Sequence, residues 1–500
     1  IMLPLKEKDR PLAHKLLAAG CCARCVLRFC CVGTPSSYCQ SYEDTSRELL
    51  AFVSDMGPKA QNDSSAEEQA EGPPSKKVKL GSCQSEGQAN GEEPDSGVCV
   101  ACLGVLQGFC SHDFSKKVSE AVKSEDYEFD NMVLFVSLPA QLSVREVRLH
   151  NASKCEITPS EKSLCLNKDD VIQVKEAFKW TLQGMLSQEL AVPSQFEVGV
   201  GFVHPETDTL LETQYWCVCV CVCGVPMTCT FLGREYPCPP QRVKTACASL
   251  DTTCLHVSVF VAGRYNKFSR SLPQTPWVID GERRMESSVE ELITQPLLAA
   301  FKADGFNFSS SGREDVDVRT LGNGRPFAVE LLNPHRAKFN KMEVHLLQEE
   351  INQSSDKIRV RDVQIVTREA VAHMKEGEEE KTKSYSALIW TQKSIVQNDI
   401  EFISDIKELK VAQKTPLRVL HRRPLAVRQR LIHTMSTRYL DPHHFYLHLR
   451  TQAGTYIKEF VHGDFGRTKP NLGELMKTEV DILELDVESV DVDWPPAIPE

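Results

Sequence analysis

The chain has 500 residues, 41% of them hydrophobic, and a formal net charge of −11, which leaves room for two or three domains of ordinary globular composition. Its opening, IMLPLKEKDR, is charged and lacks the apolar run of a signal peptide, and its longest apolar stretch, Trp216 to Met227, is too short to cross a bilayer. Secreted and membrane classes are thereby set aside and an intracellular protein is expected, with Ile1-Met2 reading as the edge of a fragment or gene model.

The acidity is local. Residues 55 to 95 hold nine acids and four lysines, and 479 to 500 hold eight acids and no base, so the rest of the chain is +2. Within it, 413 to 450 carries eight Lys/Arg against the single acid Asp441, and phosphate contacts need such a patch rather than a basic whole. Twenty cysteines in a long chain without an export signal read as reduced thiols or metal ligands.

In chain order, a short helix is expected over His14 to Ala19 and another over Glu43 to Met56. Between them Cys22-Ala23-Arg24-Cys25 is one Cys-x-x-Cys knuckle, and Cys99-Val100-Ala101-Cys102 is a second; together four thiolates make a closed, structural zinc site. Cys21, Cys30 and Cys31 crowd the first knuckle. Residues 57–97 lose periodicity and gain Pro, Gly, Ser and Glu, predicting a disordered linker, inside which Pro73 to Leu80, PPSKKVKL, resembles a single-cluster nuclear import signal. A β-rich run over Glu125 to Pro139, a helix over Lys168 to Leu190 and an alternating strand over Gln195 to Val203 give an α+β module at 125–248. Trp216 to Pro226, WCVCVCVCGVP, reads as a translated TG repeat or as a strand, ahead of a third reading, a functional comb of thiols.

Residues 249–500 form the last unit, α+β with strands near His256 to Ala262, Phe327 to Leu332 and His444 to Thr451 and helices near Ser288 to Ala303, Met342 to Asn352 and Thr455 to His462. Its chemistry-bearing segments are three. Ser309 to Pro326, SSSGREDVDVRTLGNGRP, sets Asp315 two residues after Arg313 in a glycine-flanked loop, with Asp317 as a rival on the same face. Lys381 to Trp390, KTKSYSALIW, places Tyr385 where a polar entry turns into an apolar strand, and Gly454 to Arg467, GTYIKEFVHGDFGR, carries Tyr456 and Lys458 at the start of a helix. A cation beside a carboxylate keeps it anionic and usable as a nucleophile.

Taken together these segments resemble motifs of the pseudouridine synthases, most closely the family named pseudouridine synthase 10, in its vertebrate type. The resemblance implies a C-terminal pseudouridine synthase fold, a mixed and mainly antiparallel sheet with flanking helices, behind an N-terminal zinc-knuckle region (1–56 with 98–124) and a THUMP-type RNA-binding module (125–248). It implies isomerisation of uridine to pseudouridine in the TΨC loop of tRNA (positions 54/55) by base flipping, with Asp315 as nucleophile and Lys458 as its cation. Tyr385 would stack on the base, with Tyr456 and Arg313 also binding substrate. A thumb loop, Lys414 to Arg428, would bring Arg418, Arg422, Arg423 and Arg428 to phosphates, opposite a forefinger loop, Pro273 to Arg284, with Arg283 and Arg284. The same resemblance selects Cys22 over Cys21 for the zinc, requires no organic cofactor, and suits a monomer in nucleus and cytoplasm that meets tRNA and an import receptor but no membrane.

Two other functions fit parts of the same sequence. A zinc deaminase needs Pro-Cys-x-x-Cys after its His-x-Glu; His204-Pro205-Glu206 supplies the first half, but Pro237-Cys238-Pro239-Pro240 lacks the second thiol, which excludes it. A non-catalytic nuclear RNA-binding adaptor, for example in primary microRNA processing with its complex, would use the same basic loops and import signal but has no need of Asp315, Tyr385 and Lys458 together.

Overall fold

The computed structural model describes residues 3–54, 97–129, 132–155, 170–189, 196–208, 238–375 and 381–498. The expected linker, apart from Gly97, its import signal and the Cys-Val block at 216–226 lie outside the described residues. The chain divides into two compact units, Ile1–Glu125 with Asp130–Cys254, and Asp126–Phe129 with Leu255–Glu500.

In the first unit, α1 (Arg10–Ala18) starts earlier than its apolar spacing alone suggests, because Pro11 occupies a first-turn position where no backbone donor is needed. It leads through Gly20 into α2 (Ala23–Phe29) and α3 (Tyr42–Ser54). The helix α4 (His112–Ser124) is capped by Ser111, whose Oγ accepts from Phe114 N at 3.3 Å. β1 (Met132–Ser137) and β2 (Phe196–Val203) pair in parallel, flanked in sequence by α5 (Gln141–Cys155) and α6 (Val174–Glu189). Period-two alternation puts Leu134, Val136, Val198 and Val200 on the buried face. The cysteine region and the α+β segment that the sequence separates share this unit.

The second unit is built on a ten-stranded sheet. Its strands are β3 (Val259–Lys267), β4 (Gly305–Ser310), β5 (Val318–Leu332), β6 (Ile358–Val366), β7 (Thr382–Thr391), β8 (Lys407–Lys414), β9 (Val427–Asp441), β10 (His444–Gln452), a two-residue edge at Thr468–Lys469, and β11 (Val480–Val490). The order is β6-β3-β5-β11-β7-β10-β9-β8 and then the edge, with β4 paired to β5. Every pairing in it is antiparallel except β5 with β11, where Leu485, Asp486 and Val487 lie beside Val318, Arg319 and Thr320. That is the mixed, mainly antiparallel sheet expected.

Helices α7 (Val289–Phe301) and α8 (Lys341–Ser354) close one core with Val261, Phe327 and Val329, while α9 (Ile457–His462) closes the other with Ile389, Phe445 and Leu447. The strand expected at Phe327 starts nine residues earlier, at Val318. Gly322 and Gly324, at φ +53° and +69°, let the chain bend while pairing continues, and a Cβ on Gly322 would fall 1.9 Å from the Glu488 carbonyl oxygen. The three-residue parallel seam therefore joins two antiparallel halves, and the site forms over it.

Candidate active site

Asp315 lies in the loop between β4 and β5, one turn before Val318 enters the parallel seam. Arg418 Nη1 donates to both of its carboxylate oxygens, at 3.0 and 2.9 Å, and Lys458 Nζ stands 3.4 Å from Oδ2. Lys458 is nearer to Asp317, at 2.7 and 2.9 Å. Burial pushes the Asp317 carboxyl up, but the Lys458 ammonium outweighs it and holds the group below its usual range.

The resemblance implies that Arg418 meets phosphates; here it turns inward. Its Nε donates to the buried Glu459 at 2.7 Å while Nη1 holds Asp315, so it is a positioning cation of the pocket. Burial works against its charge, and the two carboxylates more than restore it. The helix α9 supplies both Lys458 and Glu459 because the turn before it, at Gly454 with φ +78°, brings the chain round from β10, where Arg430 packs against it.

Beneath Asp315 the loop is anchored on both sides. Glu314, next to Asp315 in the same loop, is buried: its carboxylate pairs with Arg325 Nε at 2.6 Å and accepts from Tyr265 Oη at 2.6 Å and Gln274 Nε2 at 3.3 Å. Lys267 is fully buried and its three N–H groups meet three carbonyls, those of Leu272, Asp315 and Val316, at 2.8, 3.1 and 2.8 Å. Burial pushes this ammonium down to about 8, with Glu314 opposing. Breaking a buried pair strands a charge, so Glu314→Ala is expected to cost about 3–5 kcal/mol of stability, read by denaturant unfolding; an unchanged midpoint would remove the anchoring role.

The cavity above these groups has a volume of 440 Å³, within the range of about 300–1,000 Å³ usual for small-molecule sites. Asp315, Arg313, Tyr385, Tyr456 and Lys458 all line it, and so do Arg418, Arg422, Arg423 and Arg428 of the thumb segment. Its apolar floor is Val318, Leu485 and Val487, the last in register with Tyr385 across β7 and β11. Burial raises the Tyr385 hydroxyl, with the Arg325 cation opposing, so it stays protonated at neutral pH. Arg283 and Arg284 are not among the lining residues. Arg283 is spent on the Met285 and Glu286 carbonyls and on Glu291, and Arg284 lies 3.3 Å from Glu282.

In the first unit, the sulfurs of Cys22, Cys25, Cys99 and Cys102 lie within 4.8 Å of one another, all buried. Cys22 and Cys102 are 3.9 Å apart, against the about 3.8 Å between corners of a tetrahedron with Zn–S bonds of about 2.3 Å. Burial opposes charge on Cys99, but the thiols of Cys102, Cys21, Cys22 and Cys25 aim at it and hold it well below the usual range. Cys22 N also donates to its sulfur, at 3.2 Å. The donor set fits zinc in a closed site with no position left for water.

These features can be set beside known proteins. The family model described as "Pus10, C-terminal" matches residues 260–491, and "Eukaryotic Pus10, N-terminal" matches 99–221. The tRNA pseudouridine synthase Pus10 of Mus musculus is 54% identical, with 99% of this chain and 100% of that protein covered; that of Homo sapiens is 52% identical with the same coverage. This chain belongs to the Pus10 family. The Drosophila melanogaster Pus10 relative, named as a putative tRNA pseudouridine synthase, is 33% identical over 82% of the chain and 87% of its own length. Among solved structures, a Cbf5-Nop10-Gar1 complex matches 46% of this chain and 48% of its own at 14% identity and a TM-score of 0.27, too slight a likeness to carry weight.

Sequence reasoning found the Pus10 nucleophile candidate and its cavity partners but missed Lys267, Glu314, Arg325 and Glu459. Lys267 had a signal, since alternation along β3 puts it on the face of Val261 and Tyr265. Glu314, Arg325 and Glu459 had none, because partners so far apart in sequence meet only after folding.

Proposed function

We propose that this protein is a tRNA pseudouridine synthase that isomerises a TΨC-loop uridine (positions 54/55), with Asp315 as nucleophile. The observation that carries the reading is a carboxylate held by two cations at a cavity that also contains a protonated tyrosine. Family membership and the relatives' names support the substrate class. The reaction breaks the bond from ribose to uracil N1, turns the base over and joins the sugar to C5, which loses its proton while N1 gains one. Arg418 and Lys458 fix the reacting oxygen, and Tyr385 stacks on the flipped base, an interaction of about 1–3 kcal/mol. Arg422, Arg423 and Arg428 meet phosphates at the cavity rim, and zinc would have a structural role.

The Pro73–Leu80 segment suits import, so the protein would work in nucleus and cytoplasm, as a monomer. A pure adaptor would have no use for the Asp315–Arg418–Lys458 grouping, which is why the enzyme reading is preferred. Incubation with tRNA carrying uridine tritiated at C5 is expected to release tritium in proportion to pseudouridine formed. Tight tRNA binding without release would favour the adaptor.

A further inference from the structure

The segment His462-Gly463-Asp464-Phe465-Gly466 holds a feature that the proposed chemistry does not use. Gly463, Asp464, Phe465 and Gly466 all have positive φ, at 80°, 48°, 54° and 80°. Two consecutive non-glycine residues in the left-handed region are strained, and such strain persists only when the surroundings impose it. They do so through Asp464, which is buried: its N–H donates to His462 Nδ1 at 3.1 Å, its Oδ2 accepts from Leu417 N at 3.2 Å, and Arg467 Nε stands 3.5 Å away. Arg467 in turn donates to the Thr415 carbonyl at 2.6 Å. The side chain so presented, Phe465, is 94% exposed.

We propose that Phe465 is a stacking platform for an unpaired nucleobase of the RNA, next to the flipped uridine but outside the cavity. The inference rests on the RNA-modifying reading of the site. Exposed apolar side chains are common singly, but here a strained backbone is bonded in place so that it fixes a phenyl ring outward, which singles the ring out for a ligand with a flat apolar face. Its setting selects the ligand. The pedestal is bonded to the arginine-rich loop at Leu417 and Thr415, the loop that also carries Arg422 and Arg423, so the charge proposed for phosphates and the ring share one anchored segment. Phe465 follows Lys458 on the same short segment, just past the end of α9, so the ring and the cavity's cation are carried by one stretch of chain. Bases stack on aromatic rings whatever their identity, and cations beside the ring hold the backbone.

Phe465→Ala is expected to raise the KM for tRNA about tenfold with kcat unchanged, Phe465→Trp to keep the wild-type value, and Phe465→Leu to behave like Ala. Phe465→Gly should relieve the backbone strain and raise the melting midpoint while losing the same affinity, which separates a binding role from a packing one. Adding tRNA to Phe465→Trp should quench indole fluorescence beyond the wild-type change. An unchanged KM in Phe465→Ala, or Leu serving as well as Trp, overturns the platform. If the wild type releases no tritium but the Trp variant is quenched, stacking stands and the isomerase reading falls; turnover with an unaffected KM gives the reverse.

Discussion

Asp315→Asn is expected to abolish tritium release, by at least about 10³-fold, while Asp317→Asn loses no more than about tenfold. The two carboxylates are two residues apart and share Lys458, so sequence alone leaves either as nucleophile. Their surroundings differ. Asp315 lines the cavity and is gripped by Arg418, which is itself fixed by Glu459, whereas Asp317 has a side chain 61% exposed and no cavity contact among the described lining residues. Asparagine keeps the shape of aspartate and removes the charge, so the loss reports chemistry rather than packing. Asp317→Asn also frees Lys458, whose ammonium can then close the 3.4 Å gap to Asp315. Circular dichroism and tRNA affinity should be unchanged in both variants. If release survives in Asp315→Asn and vanishes in Asp317→Asn, the nucleophile moves by two residues; survival in both would end the mechanism.

The contrast between these neighbours shows what could be read before the structure. Segments with a strong local period were placed well: His444–Gln452 alternates Phe445, Leu447 and Leu449 inward, and α8 ends close to the residues its spacing suggests. The candidates named from short motifs, Asp315, Tyr385 and Lys458, come together at one cavity, since their neighbours in sequence are informative. Arg418 was assigned wrongly in geometry, because in a run of arginines nothing local tells which one turns inward. That depends on Glu459, 41 residues away, being buried beneath it. The bend of β5 was also missed, since the glycines at 322 and 324 suit a loop equally well until Glu488 is known to pass above.

The second large effect concerns the other unit. Elemental analysis is expected to find one zinc per chain, lost in Cys99→Ser and kept in Cys21→Ser. Cys22 and Cys99 are 77 residues apart, so a bound metal would close a long loop, and by the chain-entropy relation that closure alone would constrain the unfolded state by about 4.5 kcal/mol. The ligands also sit where a replacement cannot adapt: Cys25, Cys99 and Cys102 are buried beside Val100, Ala101, Leu103 and Val105, so a serine hydroxyl there trades a metal bond for a buried polar group. Zinc binding at such sites is folding free energy, so chelation should lower the melting midpoint of this unit and expose its helices to protease. Cys21 is aimed at Cys99 but lies outside the close four-sulfur group, so its loss should leave metal content unchanged. Stoichiometric zinc in Cys99→Ser, or a metal-free wild type that melts at the same temperature, would contradict the site. Zinc lost in Cys21→Ser and kept in Cys22→Ser would shift the first ligand by one residue, from the helix cap of α2 to the turn before it.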